Sequence, residues 1–294
     1  MPATPEFDPA QLTDAVLASF AGAPDPRTRH VLGRLIAHLH AFVREAELSP
    51  DEWMRAVDFL NRTGQISGDT RQEFILLSDV LGVSMLVDAI NHRAPGTTET
   101  TVLGPFYVGE HRVMPHGTDL AADQPGERVL VEASVTDTAG RPIAGAAADV
   151  WHAGADGFYD SQKPGYRPDK PELRARFVTG ADGKLWFRTI VPRSYPVPTD
   201  GPVGELLRAS GRHAMRPAHL HFLIAAPGHQ TLVTHLFVAG DDYLGSDAVY
   251  GVKPSLVVPL EPGAAPTWPD GTPAPARWHR MSYRFALTRK DSTR

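Results

Sequence analysis

The apolar positions change period partway along the chain. Up to about residue 90 they recur at helical spacing. Asp8-Pro9 makes an N-cap and first-turn pair, followed by Leu12, Val16 and Phe20. Asp25-Pro26 opens a second predicted helix with Leu32, Leu35, Ile36, Leu39 and Val43 on one face. Ser49-Pro50-Asp51-Glu52 reads as a capping box leading into Trp53, Val57 and Leu60. Asp69 is placed to cap a fourth helix carrying Phe74, Leu77, Leu81 and Met85.

Residues 91–100 (NHRAPGTTET) form a polar, turn-rich bridge, and beyond it the period falls to two. Val129, Val131, Ala133 and Val135 alternate with Leu130, Glu132, Ser134 and Thr136, as in a half-buried strand. Further strands are predicted at 144–150, 175–179, 185–190, 219–225, 231–238 and 255–260, broken by Gly and Pro. The fold class is therefore α+β: an all-α helical domain with its linker over 1–100, then a β-sandwich over 101–294.

Composition narrows the chemistry. The 294 residues carry 29 basic and 34 acidic side chains, for a formal charge of -5, so no electrostatic footprint for nucleic acid or anionic lipid is expected. With 26 Gly and 27 Pro the chain is rich in turns, which agrees with many short strands. The absence of cysteine excludes disulfides, thiolate metal sites, iron–sulfur clusters and cysteine nucleophiles. A bound metal would need His, Asp, Glu or Tyr. The first ten residues lack the apolar stretch of a secretory signal and no run is long enough to span a membrane, so a cytoplasmic protein is expected.

Residues 216–222 (RPAHLHF) are the most informative stretch. On a strand, His219 and His221 project together while Leu220, Phe222 and Ile224 face the other side. Two imidazoles about 7 Å apart along a strand can reach one metal ion, although histidines on a wet sheet face have the same spacing. Tyr159 and Tyr195 each follow a predicted strand, where a rigid scaffold presents functional groups; either could equally be a packed ring. His38 and His40 lie two apart on a helix, face different sides and read as solvated surface residues.

GFY after VWHA, then PRSYPVP, then RPAHLHF, in that order and spacing, resembles the intradiol ring-cleavage dioxygenases. The resemblance covers nearly the whole chain, including the helical start. It implies a non-haem ferric ion held by Tyr159, Tyr195, His219 and His221. Hard phenolate oxygens suit a hard, highly charged cation. It also implies that Tyr195 takes up a diol proton, that O2 attacks the bound ring, and that the ring opens between the hydroxyl-bearing carbons. Arg216 would stabilise negative charge developing on the ring. His235 stands where catechol-type members usually carry glutamine; it could donate a hydrogen bond or be structural.

Leu76 to Asp79, Val102, Leu103, Gly104, Pro105 and Phe106, and residues 246–253 (SDAVYGVK), resemble the branch that cleaves hydroxyquinol, 1,2,4-trihydroxybenzene. In that reading Asp79 accepts a hydrogen bond from the third hydroxyl. The expected partners are a small aromatic diol or triol and O2. A homodimer through the N-terminal helices is also expected, with lipid tails a further occupant of its groove. The competing readings are a catechol or chlorocatechol 1,2-dioxygenase and, in another class, a non-catalytic β-sandwich binding module.

Overall fold

Asp25 starts a helix because its carboxylate accepts hydrogen bonds from the backbone of Arg27 and Thr28, which have no partner within the helix. Ser49 and Glu52 exchange the reciprocal bonds of a capping box at the start of the next. The computed structural model describes residues 8–68, 71–92, 94–109 and 112–290. Asp69 lies outside the described residues. Of those described, the residues up to Arg62 make one compact unit and those from Thr63 a second. The switch from helical to alternating pattern near residue 100 falls within the second unit.

In the first unit, α1 (Leu12–Ser19) and α2 (Pro26–Glu45) pack together. Thr13 and the His40 ring are hydrogen-bonded at 3.0 Å. His40 is therefore a half-buried stitch between helices rather than a solvated residue, whereas His38 is exposed, as expected. Next comes α3 (Pro50–Ile66). In the second unit, the single helix predicted through Met85 is two, α4 (Glu73–Val80) and α5 (Val83–Asn91). Gly82 divides them: its φ of 74° lies in the left-handed region, where a helix cannot continue.

The strands are β1 (Arg128–Asp137), β2 (Ala147–His152), β3 (Arg174–Val178), β4 (Lys184–Ile190), β5 (Tyr195–Pro196), β6 (Met215–Arg216), β7 (His219–Ala225), β8 (Leu232–Val238), β9 (Val257–Val258), β10 (Glu261–Pro262) and β11 (Trp278–Leu287). A further helix, α6 (Pro202–Ala209), lies between β5 and β6. One sheet has the order β10-β11-β1-β4 and the other β3-β2-β7-β8-β9; β5 and β6 form a small ribbon. The predicted strand at 255–260 shortens to β9, after a single 3-10 turn at Pro254–Leu256.

The alternation along each strand builds the core between the two sheets. Val129, Val131, Phe187, Met281 and Phe285 belong to the same buried cluster as Val150, Phe177, Leu220, Phe222, Ile224 and Leu236. Phe177 and Phe187 stack at 4.9 Å. With Leu220, Phe222 and Ile224 committed to this core, period two turns His219 and His221 to the opposite face of the sheet. Among the described residues no helix is long and apolar enough to cross a membrane.

Candidate metal and active site

Strand register assembles the site. On the face of the five-stranded sheet turned away from the core, Trp151 of β2 is paired with His221 of β7, and His221 with His235 of β8. Trp151 stacks on the His221 ring at 4.5 Å and 14°. In the ribbon, Tyr195 is paired with Arg216, and only Pro217 and Ala218 separate Arg216 from His219. Asp241 holds that corner together, accepting from the Ala218 amide at 3.0 Å and from the Ser194 hydroxyl beside Tyr195.

Tyr159 enters from the loop after β2. Its amide donates to Gln162 Oε1, and the adjacent Asp160 is held by a buried ion pair with Arg174. Arg174 also donates to the Phe106 carbonyl at 3.0 Å, and the Phe106 ring stacks on Tyr159 at 4.5 Å. One guanidinium thus fixes both the tyrosine and its covering ring. Gly104 lets this covering loop approach: its φ is 77°, and a Cβ there would stand 3.3 Å from His221 Cε1.

Four donor atoms meet in the centre. Tyr195 Oη and Tyr159 Oη are 3.3 Å apart, Tyr159 Oη and His221 Nε2 2.8 Å, and His221 Nε2 and His219 Nε2 3.1 Å. All four residues are at most 2% exposed. Beside them Arg216 reaches Tyr195 Oη, His219 Nε2 and His235 Nδ1, each at 3.4 Å, and pairs with Asp247 at 3.1 Å.

Electrostatics separate these groups. Burial first, then the nearby Arg216 cation, pushes the His219 pKa down to about 3. Burial and neighbouring rings hold His221 and His235 far below the usual range, so all three imidazoles are neutral at neutral pH. Burial, then the Tyr195 hydroxyl, drives the Tyr159 pKa far upward. Burial opposes the charge of Arg216, but Asp247 together with the Tyr195 and Tyr159 oxygens outweighs it and the pKa rises.

These residues fit a cation. The His219 Nδ1 lies 2.7 Å from the Pro217 carbonyl, which can only accept, so the neutral ring turns an Nε2 lone pair toward the centre. Metal–nitrogen bonds of about 2.0–2.1 Å would set adjacent ligand atoms about 2.9–3.4 Å apart, close to the separations found. His219, His221 and His235 form an alternative set, with ligand atoms within 4.8 Å of one another. The first set alone brings two phenol oxygens to the ion, the harder donors for a highly charged cation. A bound cation would also reverse the upward pull on Tyr159, since it would be the largest local charge.

Not every expected position converges equally. Leu76 of α4 is buried in a cluster that Val102 packs against, while Gly104 and Phe106 reach His221 and Tyr159. Leu103 and Pro105 are exposed. Asp79 is buried, and its Oδ1 accepts no hydrogen bond within the protein. Burial raises its pKa, while the Ser84 hydroxyl and Arg216 pull the other way. Trp151 in VWHA and Asp247 in SDAVYGVK stand in stretches singled out above, but neither carried an expected role at the site. Period two along β2 puts Trp151 on the face of Asp149, a legible signal; the pairing of Asp247 with Arg216, 31 residues apart, left no local one.

Residues 102–288 match the family model described as "Dioxygenase", and residues 25–99 match "Catechol dioxygenase N terminus". The chain belongs to the intradiol ring-cleavage dioxygenases. It is 52% identical to a 6-chlorohydroxyquinol 1,2-dioxygenase of Cupriavidus pinatubonensis, over 86% of this chain and 91% of that one. It is 51% identical to a hydroxyquinol 1,2-dioxygenase of Rhizobium sp., over 84% of each. A crystal structure of hydroxyquinol 1,2-dioxygenase from Pseudomonas putida DLL-E4 superposes with a TM-score of 0.89 at 46% identity, covering 96% of this dioxygenase and 99% of that chain. Membership sets aside the reading as a non-catalytic binding module. It also agrees with the expected helical start followed by a β-domain.

Proposed function

We propose that this dioxygenase opens the ring of hydroxyquinol between its adjacent hydroxyl-bearing carbons, inserting both atoms of O2 to give a hydroxymuconate that tautomerises to maleylacetate. Tyr159, Tyr195, His219 and His221 would hold the ferric ion. Bound there, the ion supplies chelation of the two diol oxygens and activation of the ring toward O2.

The protein's own residues do the rest. Leu76, Val102, Leu103, Gly104, Pro105 and Phe106 line the ring's approach. Tyr195 takes a diol proton on its phenolate oxygen. Arg216, a fixed cation at 2% exposure, opposes negative charge as it develops on the ring. His235 Nε2, buried near the Val102 backbone, would donate to an oxygen of the bound molecule. The dry surroundings strengthen each of these interactions.

The observation that carries the substrate assignment is Asp79 Oδ1, a buried acceptor without a donor. A phenolic hydroxyl on the ring would satisfy it, and a bare ring edge would leave it unpaired. The test is kcat/KM for hydroxyquinol and catechol in the wild type and in Asp79→Ala. We expect hydroxyquinol to be preferred at least about ten- to a hundredfold, the worth of one hydrogen bond to a charged group, with the gap narrowing in the variant. A wild type preferring catechol overturns the assignment. A preference unchanged in Asp79→Ala removes Asp79 as its cause.

The homodimer belongs to the same proposal, with residues up to about 100 as the dimerising part and the remainder as the catalytic part. Leu35, Leu39 and Phe42 of α2 remain 52%, 52% and 54% exposed, more apolar surface than a lone helix leaves to water. A second copy is the occupant we favour, with lipid tails as an additional one. A monomer in light scattering at micromolar concentration contradicts it.

A further inference from the structure

Arg216 can stabilise a reacting ring only if its guanidinium is held in one orientation, and the structure shows what holds it. Asp247 accepts from Arg216 Nε at 3.1 Å and from Nη2 at 3.4 Å. Its two oxygens also accept from the amides of Val249 and Gly251, so the carboxylate is itself fixed by the loop that carries it. The pair is buried, with side chains 3% and 2% exposed. Gly251 closes over it so tightly that a Cβ would stand 3.1 Å from both Arg216 Nη2 and Asp247 Oδ2. With Nε and Nη2 engaged on one edge, Nη1 is left facing Tyr195 Oη and His219 Nε2, and Nη2 faces His235 Nδ1. A donor against Nδ1 leaves the proton of neutral His235 on the buried Nε2.

We propose that Asp247 is a positioning residue for ring cleavage: it orients the Arg216 guanidinium toward Tyr195 and His219 and, through it, keeps His235 in the tautomer that donates from Nε2. The inference rests on the ring-cleavage reading of this site. Asp247 touches none of the reacting atoms; its effect passes through Arg216. A carboxylate that only braced the 247–251 loop would act on folding and metal content and would not depend on which side chain stands at 216.

A double-mutant cycle separates the two. Asp247→Asn, Arg216→Gln and the double variant are loaded with iron, and kcat is expressed per bound iron. Asp247→Asn is expected to lower kcat about 10- to 100-fold, a substantial part of a full electrostatic contact, with KM within about threefold and iron stoichiometry unchanged. In the Arg216→Gln background the same replacement should cost less than about twofold. Asp247→Glu keeps the charge and should recover most of the loss; Asp247→Ser, which removes the charge with less bulk, carries the cycle if the Asn variant does not fold. The visible absorption of the anaerobic diol complex gives a readout independent of turnover and should shift alike in Asp247→Asn and Arg216→Gln. An equal cost in both backgrounds, normal turnover in Asp247→Asn, or loss of iron in step with activity would overturn the proposal. A wild type that takes iron but opens no diol ring overturns the reading beneath it, and this inference with it.

Discussion

Arg216 is held by Asp247 and faces three residues of the proposed reaction centre, so replacing it should affect turnover more than assembly. Arg216→Ala should lower kcat about 10²–10³-fold, equivalent to about 2.7–4 kcal/mol, while iron content measured by metal analysis stays near one per chain. Near-normal turnover in an iron-replete variant would reject the role. At this scale the sequence carries part of the site plainly. His219 and His221 share a strand face by spacing alone, and the order of the tyrosine and histidine motifs points to one cation. Pairings set by distant chain segments were not legible: Asp247 with Arg216, Trp151 on His221, and Phe106 on Tyr159 all depend on register and loop closure.

Among the elements, β7 serves two faces at once. Its inward side chains are core and its outward ones are proposed ligands, so packing and chemistry share one backbone. Phe222 is fully buried, and Phe222→Ala should cost about 3–5 kcal/mol of unfolding free energy, measured by denaturant titration. His152, at the end of β2, is bonded to the Ala153 carbonyl and the Thr189 hydroxyl, and burial lowers its pKa to about 4 from 6.5. Between those values the unfolded chain binds the proton more readily. The stabilisation is therefore complete above pH 6.5 and lost as pH falls toward 4, by up to about 3 kcal/mol. Unfolding free energies at pH 7 and pH 4.5 should differ more in the wild type than in His152→Gln; equal differences would contradict this.

The elements also show where local pattern fails. Strands β1, β3, β4, β7 and β8 stand within a residue or so of their predicted bounds, because each alternates against a core. The β11 strand alternates too, with Met281 and Phe285 inward and Arg280 and Arg284 outward, but its charged face masks it. Helix α6 is eight residues long and contains a glycine, too short for periodicity to declare itself. Its start is fixed by Glu73, whose Oε1 accepts from the Val203 amide 130 residues away. The break at Gly82 was obscured because apolar residues continue at helical spacing on both sides of it.

For the whole molecule, the proposed iron joins three chain segments, the loop after β2, β5 and β7, that the backbone alone joins only through the sandwich. A ligand that binds only the folded chain stabilises it by mass action, about 2.7 kcal/mol at a hundredfold excess over its Kd. Stripping the metal with a chelator should therefore lower Tm, and reloading should restore it; a His219→Ala, His221→Ala protein should show neither change. The most direct test is the visible absorption spectrum of the protein loaded with ferric iron. Two coordinated phenolates should give a red tyrosinate-to-iron charge-transfer band in the wild type, weakened in Tyr159→Phe or Tyr195→Phe and absent in the double variant. A colourless zinc protein, or a band that survives replacement of both tyrosines, would contradict the account.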